Sequence, residues 1–185
     1  MNKSGLMKLM TLSSALFVSA ILGLGSDAHA QVQCQPPLKS GGNRYIYKIV
    51  NENSGKVLDV AFNSTESSYR LLQWEYLNLL SQQWYFLEGA NGGYRIVNRN
   101  SEHHIEPAGL NNGAKIWQVY YNLVPQQTWF LYCDPNDTSR FLISNNLTSR
   151  VIDVEHNSTG NGAYIHQWDY VSGVRSQWWR FVRIF

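Results

Sequence analysis

Ser81-Gln82-Gln83-Trp84-Tyr85-Phe86 is a stretch that returns twice, with changes, further along the chain. The second copy is Gln127-Thr128-Trp129-Phe130, and the third is Ser176-Gln177-Trp178-Trp179-Arg180-Phe181. The pattern Gln, any residue, Trp therefore recurs with offsets of 45 and 50 residues. A period of this length indicates a structural repeat.

The sequence around each Gln-x-Trp copy repeats as well. Three short apolar stretches precede it in every unit, at 47–51, 57–60 and 71–74, at 94–98, 104–107 and 115–118, and at 141–145, 151–154 and 165–168. Alternation over five or six residues, with Asn-Gly or Gly-Gly turns between, predicts short β-strands. One unit alone could not bury its apolar face, so we expect an all-β fold of about twelve strands in which three units close a barrel around a pseudo-threefold axis.

The Trp of each copy is predicted to fill the shared core. Trp84, Trp129 and Trp179 occupy the same position in their units, and an aromatic residue follows each one closely. Large aromatic side chains dominate the burial energy of small domains. We therefore expect a core built from the three Trp residues together with Phe86, Phe130 and Phe181.

Length and composition indicate one soluble domain without an affinity for polyanions. The chain has 185 residues, of which 44% are hydrophobic and 15% charged, and its formal net charge is +2. Apolar content at this level supplies a core, and a charge so close to zero argues against nucleic acid or an anionic membrane as partner. The aromatic content of 14% is high and is concentrated in the repeats.

Residues 1–30 have the pattern of a secretory signal peptide. Lys3 and Lys8 provide a basic start, an apolar stretch follows from Leu9 to Gly25, and Ala28-His29-Ala30 precedes Gln31 as a cleavage signal. The alternative is a retained membrane anchor, which would need roughly 20 apolar residues and no cleavage site. We expect cleavage after Ala30, export, and no membrane insertion of the mature protein.

Export gives the two cysteines a meaning, because an oxidising compartment allows Cys34 and Cys133 to form a disulfide. Cys34 lies in an N-terminal tail, 31–44, whose Pro36-Pro37 and Gly41-Gly42 disfavour regular structure. A Cys34–Cys133 bond would fasten this tail to the end of the second unit. Two free thiols, or a link from Cys34 to another chain, are the alternatives.

The three Gln-x-Trp units resemble the ricin-type β-trefoil lectins, a family recognised by three such repeats. The resemblance covers 45–185, with repeats at about 45–90, 91–137 and 138–185. It implies a β-trefoil fold and carbohydrate binding in shallow pockets, up to one per repeat, with galactose-type sugars as the common ligand. In the family, an Asp at the end of the second strand holds sugar hydroxyls and an aromatic residue after the third strand stacks on the sugar.

Repeats one and three carry the residues that such a pocket needs. A carboxylate accepts hydrogen bonds from neighbouring sugar hydroxyls, while the apolar face of the sugar lies on an aromatic ring. The predicted carbohydrate-binding residues are Asp59, Gln73, Trp74, Tyr76 and Gln82 in repeat one, and Asp153, His166, Gln167, Trp168, Tyr170 and Gln177 in repeat three. Trp74 and Tyr76 are alternative platforms. Neighbours on a strand point to opposite faces. Whether Gln73 faces the pocket, and whether His166 or Gln167 does so in repeat three, therefore stays open.

Repeat two departs from the pattern at the residues that matter most. Glu106 replaces the Asp, Val119 stands where the other repeats have Trp, and only Tyr120 or Tyr121 could serve as platform. The longer Glu side chain displaces its oxygens by about one methylene, which spoils a fixed hydrogen-bond geometry. We predict that this site is degenerate.

Several of these residues also have structural explanations. Gln82, Gln127 and Gln177 are expected mainly to hold backbone turns together. His103-His104 is expected to be a solvated surface pair, because neighbours on a strand diverge and no further ligand has a suitable spacing for a metal. No metal or cofactor is predicted.

The sequence therefore predicts a secreted lectin, or the glycan-targeting subunit of a toxin or enzyme assembly. An enzyme is disfavoured because no nucleophile, acid–base pair or metal cluster is evident, and Asp59 and Asp153 fall in separate repeats. The alternative is a β-trefoil protease inhibitor or protein-binding module that does not bind sugar. An Asp together with an aromatic residue in two repeats favours the lectin.

Overall fold

A computed structural model describes residues 32–34 and 44–185. The predicted signal peptide, 1–30, lies outside the described residues, as does most of the predicted tail. Within the described ranges, no helix is long and apolar enough to cross a membrane.

The described residues form thirteen β-strands, and these strands pair only in the antiparallel sense. Three-residue 3₁₀ turns are the only helical segments in the part of the chain that the structure describes. The strands are β1 (Val32–Gln33), β2 (Tyr47–Asn51), β3 (Val57–Val60), β4 (Tyr69–Trp74), β5 (Trp84–Glu88), β6 (Tyr94–Asn98), β7 (His104–Pro107), β8 (Ile116–Val119), β9 (Trp129–Asp134), β10 (Asp137–Asn145), β11 (Val151–Val154), β12 (Ile165–Trp168) and β13 (Trp179–Arg183).

The strands form a barrel with a cap, and each repeat supplies four of them. Strands β2, β5, β6, β9, β10 and β13 pair in a closed circle, while the hairpins β3–β4, β7–β8 and β11–β12 lie together at one end. The hairpins meet through pairing of β4 with β8 and through the bridges Leu72–Tyr164 and Lys115–His166. Repeat one is β2–β5, repeat two is β6–β9 and repeat three is β10–β13. This arrangement is the predicted β-trefoil.

The three Gln-x-Trp tryptophans lie in the core, as predicted. Trp84, Trp129 and Trp179 are fully buried. Each indole Nε1 donates a hydrogen bond of 3.0–3.1 Å to a main-chain oxygen of its own repeat, namely that of Leu58, Ile105 or Ile152. The bond satisfies the polar N–H of a side chain that otherwise contributes only apolar surface. Barrel and hairpin are thereby joined inside every repeat.

The prediction for the accompanying aromatic residues is correct in two repeats and wrong in one. Phe86 is buried and Phe181 is half-buried against the same core. Phe130 is adjacent to its Trp in sequence, so the alternation of the strand directs it away from the core. Leu131 occupies the core position instead and is fully buried.

A disulfide joins Cys34 to Cys133, as predicted, across 99 residues of sequence. The tail was expected to lack regular structure, yet β1 adds a thirteenth strand beside β9. Val32 pairs with Cys133 and Gln33 with Tyr132 through the backbone, and Cys34 N donates to Leu131 O at 2.9 Å. The unpaired edge of β9 supplies these hydrogen-bond partners.

Candidate functional site

A cavity of about 630 Å³ lies in repeat one, at the ends of β3 and β4. Asp59 and Trp74 line it together with Leu72, Leu77 and Leu79. Asp59 pairs with Leu72 across the hairpin, and Trp74 lies two residues beyond Leu72 on the same face. The short hairpin thus brings the predicted carboxylate and platform of repeat one to one surface.

The Asp59 carboxylate is buried but incompletely bonded. Its side chain is 6% exposed, and Oδ2 accepts a 3.0 Å hydrogen bond from Gln82 Nε2. Oδ1 and the nearby Oγ of Ser81 form no hydrogen bond of good geometry among the described residues, although Ser81 lies close enough to lower the pKa of Asp59. Burial raises the pKa of Asp59, and its polar neighbours offset only part of that effect. A donor that entered the cavity could satisfy Oδ1.

Repeat three has an equivalent but smaller cavity of about 330 Å³. Asp153, His166, Trp168 and Gln177 line it, and Asp153 pairs with His166 as Asp59 pairs with Leu72. Between His166 and Gln167, the structure therefore places His166 in the cavity. Four predicted site residues of repeat three lie together here.

Protein groups already bond both oxygens of Asp153. Ser176 Oγ lies 2.6 Å from both Asp153 Oδ1 and Asn157 Oδ1, of which the carboxylate is the stronger acceptor for its single proton. Gln177 Nε2 donates to Asp153 Oδ2 at 3.3 Å. The His166 Nε2 atom lies 3.6 Å from Oδ2 and its ring stacks on Trp168, with centroids 5.4 Å apart. Repeat three thus holds its carboxylate in a network of its own side chains.

Of the predicted platforms, Trp74 and Trp168 line the cavities, whereas Tyr76 and Tyr170 do not. Tyr76 donates from its hydroxyl to Asn78 Oδ1 at 2.7 Å and lies under Lys48, while Tyr170 makes an edge contact with Trp178. These local contacts direct both tyrosines elsewhere.

A glycine of the preceding repeat in the circle flanks each tryptophan platform. A Cβ added to Gly162 would lie 3.5 Å from the Trp74 ring, and one added to Gly113 would lie 3.7 Å from the Trp168 ring. Both glycines have positive φ, +84° and +83°, in a region that side chains disfavour. The Asn-Gly turns seen in the sequence therefore also shape the walls of the two sites.

Gln73 and Gln167 were predicted to be site residues, and the structure places them elsewhere. Both are fully buried and line neither cavity. Gln73 Nε2 donates to the main-chain oxygens of Ser158 and Gly160 at 2.8 and 2.9 Å, and its Oε1 accepts from Ser54. Gln167 makes the same set of bonds to Gly109, Asn111 and Thr148. These amides connect neighbouring repeats, because the strand alternation turns them away from the pockets.

The Gln of each Gln-x-Trp copy holds a turn, as predicted. Gln82 Oε1 accepts from Leu77 N at 2.7 Å while Nε2 also donates to Glu75 O at 2.8 Å. Gln127 and Gln177 bond the corresponding loops of their repeats. In repeats one and three, the same amide also reaches the Asp carboxylate. One residue type therefore fixes both the loop and the carboxylate.

The Glu106 side chain of repeat two lines neither cavity. Trp117 stands opposite it on β8, where repeats one and three have Leu72 and His166. Val119 replaces the platform, as the sequence indicated, and Oε2 of Glu106 is buried without a hydrogen-bond partner among the described residues. Burial raises the pKa of Glu106.

The prediction that His103 and His104 form a solvated surface pair is wrong. They are 5% and 6% exposed, because the rings of Tyr120 and Tyr121 cover them at centroid distances of 4.4 and 4.6 Å. Burial, followed by the nearby charge of Arg95, lowers the pKa of His104 to about 4. Across 32–34 and 44–185, no group of three His, Cys, Asp or Glu side chains is arranged to hold a metal ion.

Comparison with known proteins agrees with this architecture. A sequence model described as ricin-type beta-trefoil lectin domain-like matches residues 31–119 and 80–168. The chain belongs to this family. A search of curated protein sequences gives no significant match for this ricin-type chain.

Solved structures share the ricin-type fold. ThreeFoil, a designed threefold symmetric protein, is 31% identical, with a TM-score of 0.71 and coverage of 75% of this chain and 99% of that one. The exo-β-1,3-galactanase 1,3Gal43A from Clostridium thermocellum is 33% identical, with a TM-score of 0.72; 78% of this chain matches 31% of the enzyme. The Macrolepiota procera ricin B-like lectin, solved with lactose, is 21% identical, with a TM-score of 0.66 and coverage of 80% of this chain and 100% of that one.

Proposed function

We propose that the chain is a secreted lectin that binds glycans non-catalytically through repeats one and three, with galactose-type sugars favoured. The observation that carries the proposal is the free Oδ1 of Asp59 in a cavity shared with Trp74. An unpaired buried acceptor is costly, and a sugar hydroxyl is a donor that would satisfy it. The indole ring beside it offers an apolar surface to the C–H face of the sugar.

The residues of repeat one have separate roles in this proposal. Asp59 accepts hydrogen bonds from sugar hydroxyls, Gln82 holds the carboxylate, and Trp74 provides the platform. Asp153, Gln177 and Trp168 act in the same way in repeat three, with His166 beside the carboxylate. A shallow site with so few contacts should hold a monosaccharide at about 0.1 to 10 mM. Two such sites on one rigid body raise the apparent affinity for a clustered glycan surface by about 10²-fold.

The placement of the carboxylates supports a non-catalytic role. Asp59 and Asp153 line different cavities. Glycoside hydrolysis requires two carboxylates at one sugar, about 5 to 10 Å apart. The cavity of repeat one has a single carboxylate, Asp59, and in repeat three the second carboxylate of the lining, Glu155, is paired with Lys115.

The tail and the comparisons support a secreted setting for the lectin. The predicted signal peptide and the Cys34–Cys133 disulfide support export. The match to one part of a galactanase supports a second setting, in which the chain is the glycan-targeting subunit of a secreted toxin or enzyme assembly. The chain itself supplies only the binding function in either setting.

A glycan array tests the proposal. The parent protein should bind glycans on the array, either single variant Asp59→Ala or Asp153→Ala should bind much more weakly, and the double variant should not bind. Glu106→Ala is the matched control, because it removes a carboxylate from the equivalent position of repeat two, and it should bind like the parent. Thermal unfolding of each variant establishes that it is folded. A folded double variant that retains the binding of the parent would show that these carboxylates only stabilise turns.

A further inference from the structure

The cavity of repeat one extends beyond the sugar site proposed above. Besides Asp59 and Trp74, its lining includes Phe62, Arg70 and Tyr164. Arg70 lies on β4 where that strand pairs with β8, and Tyr164 bridges to Leu72. The extension therefore reaches toward the pseudo-threefold axis, where strands of all three repeats meet.

Repeat three lacks this extension because an ion pair fills the equivalent space. Tyr164 bridges to Leu72 beside the cavity of repeat one, and Lys115 makes the equivalent bridge to His166 beside the cavity of repeat three. In the turn that follows the strand carrying the Asp, repeat one has Ala61 and repeat three has Glu155. Lys115 Nζ donates to Glu155 Oε1 at 2.5 Å. In repeat one, Ala61 stands in place of the glutamate and Tyr164 in place of the lysine, so this ion pair cannot form. The cavity of repeat one is accordingly almost twice as large, about 630 Å³ against 330 Å³.

The extension also carries a positive charge, on Arg70, that is not neutralised by an ion pair within the described ranges. Arg70 Nη1 donates to the hydroxyl of Tyr164 at 2.9 Å, and the guanidinium carbon lies 5.0 Å from the centre of that ring. No carboxylate of the described residues forms an ion pair with Arg70. Asp59 is the only acidic residue in the lining of this cavity. A guanidinium has five N–H donors, so most of those on Arg70 remain available for a planar anion.

Aromatic rings frame the same space. Phe62 is 92% exposed with its backbone at φ +58°, and its ring makes an edge contact with Tyr69 at a centroid distance of 6.5 Å. A large apolar side chain at a positive φ is an uncommon and strained arrangement. An exposed ring beside an unpaired guanidinium suits a ligand with both an apolar face and a negative charge.

We propose that repeat one binds an acidic oligosaccharide, with a neutral sugar at Asp59 and Trp74 and a carboxylate or sulfate of the next sugar at Arg70. This inference rests on the proposed lectin function, because the neutral sugar occupies the site already described. Arg70 then determines specificity by forming hydrogen bonds to the anion, and Tyr164 holds the guanidinium in position. Repeat three lacks this second subsite and binds both classes of glycan equally.

The test uses an array of matched oligosaccharides on which the terminal sugar is galactose, N-acetylgalactosamine, mannose or xylose. Each neutral compound is printed beside one counterpart with a uronic acid and another with a sulfated sugar at the second position. The parent should bind the acidic member of a pair about threefold to tenfold more tightly than the neutral one at low salt, and less so at high salt. The two acidic counterparts distinguish a carboxylate from a sulfate.

Two variants connect the preference to the extension. Arg70→Gln should bind the neutral compounds like the parent and lose the preference for the acidic ones. The double change Ala61→Glu with Tyr164→Lys, which transfers the ion pair of repeat three, should have the same effect by filling the space. Arg183→Gln is the matched control: Arg183 is an exposed arginine on β13 that packs over Tyr45, and its removal should leave the preference intact.

The outcomes separate the inference from the proposed function. Binding of neutral glycans that depends on Asp59, without a preference for the acidic counterparts, would overturn the inference and leave the lectin function standing. A preference that survives in Arg70→Gln would also overturn it. If no compound on the array binds, both the inference and the proposed function are wrong.

Discussion

The cavities of repeats one and three occupy equivalent places in the β-trefoil, yet their carboxylates are bonded differently. Asp59 has one oxygen without a partner among the described residues, whereas both oxygens of Asp153 accept hydrogen bonds. The adjacent position on the neighbouring strand is Leu72 in one repeat and His166 in the other. The same pair of Asp and Trp therefore gives an open site in repeat one and an internally satisfied one in repeat three.

This difference affects binding because a ligand must compete with the bonds already present. In repeat three, a sugar hydroxyl that approaches Asp153 has to share acceptors with Ser176 and Gln177. In repeat one, Oδ1 accepts no well-formed hydrogen bond among the described residues, so an incoming hydroxyl competes only with the nearby Ser81 hydroxyl. A hydrogen bond that replaces another contributes little net free energy, whereas one that satisfies a buried, unpaired group contributes more. We therefore expect repeat one to bind sugar more tightly.

The largest effects should come from changes in what the repeats share. Replacing Trp84, Trp129 or Trp179 with Ala should reduce the free energy of unfolding by about 3 to 5 kcal/mol, because each leaves a cavity and an unpaired carbonyl in the core. Urea unfolding measures the loss. A similar cost is expected in all three repeats, although their pockets differ. A variant that kept the stability of the parent but lost glycan binding would place that Trp in a pocket.

The pH dependence of binding should distinguish the two pockets next. Burial raises the pKa of Asp59, so its carboxylate is protonated at a higher pH than an ordinary Asp, and binding at repeat one should weaken by about tenfold as the pH falls through that value. The test is a pH series of glycan titrations in the Asp153→Ala background, with Asp59→Asn as the variant that cannot titrate. Binding that weakens equally in Asp59→Asn would exclude Asp59 as the group responsible.

The raised pKa of Asp59 affects folding stability in the opposite direction from binding: acid weakens binding but favours the folded protein. Because the folded-state pKa of Asp59 is raised, the stabilising contribution is complete below the unfolded pKa and is lost as the pH rises through the folded value. The ionised group therefore opposes folding at neutral pH. Asp59→Asn should unfold at the same temperature as the parent or higher at pH 7. A clear loss of stability would show that the carboxylate is needed by the fold.

A smaller effect is expected from opening repeat three. Glu155→Ala removes the ion pair with Lys115 that fills the space equivalent to the extension in repeat one. Both side chains are partly exposed, Glu155 by 26% and Lys115 by 33%. Loss of the ion pair should therefore lower the free energy of unfolding by about 1 kcal/mol or less. Oligosaccharide binding measured in the Asp59→Ala background should improve about twofold to threefold as the cavity grows. Glu88→Ala, which removes an exposed charge on β5, should produce no change.

The fold, and the Asp that lines each of the two cavities, were accessible from the sequence because they recur. Gln-x-Trp identified the repeats, and recurrence in repeats one and three identified Asp59 and Asp153, with Trp74 and Trp168 among the candidate platforms. Recurrence also identified repeat two as different, from Glu106 and Val119. A local pattern that returns three times carries information that a single occurrence does not.

What could not be predicted depends on contacts between repeats. Tyr164 lines the cavity of repeat one although it is 94 residues from Arg70, its hydrogen-bond partner. Gln73 likewise forms hydrogen bonds to residues of repeat three that are distant in sequence. The burial of His103 and His104 arises from Tyr120 and Tyr121, which a later loop supplies. Strand alternation indicates which face a residue occupies, but not what covers that face.

The most direct test of the difference between the repeats is one NMR titration that follows both platforms at once. The indole N–H signals of Trp74 and Trp168, assigned with Trp74→Phe and Trp168→Phe, are recorded while the monosaccharide selected by the array is added. Both signals should shift, and that of Trp74 should approach saturation at a lower sugar concentration than that of Trp168. If Trp168 saturates first, or if neither signal responds to a sugar that the protein binds, the account of the two pockets is contradicted.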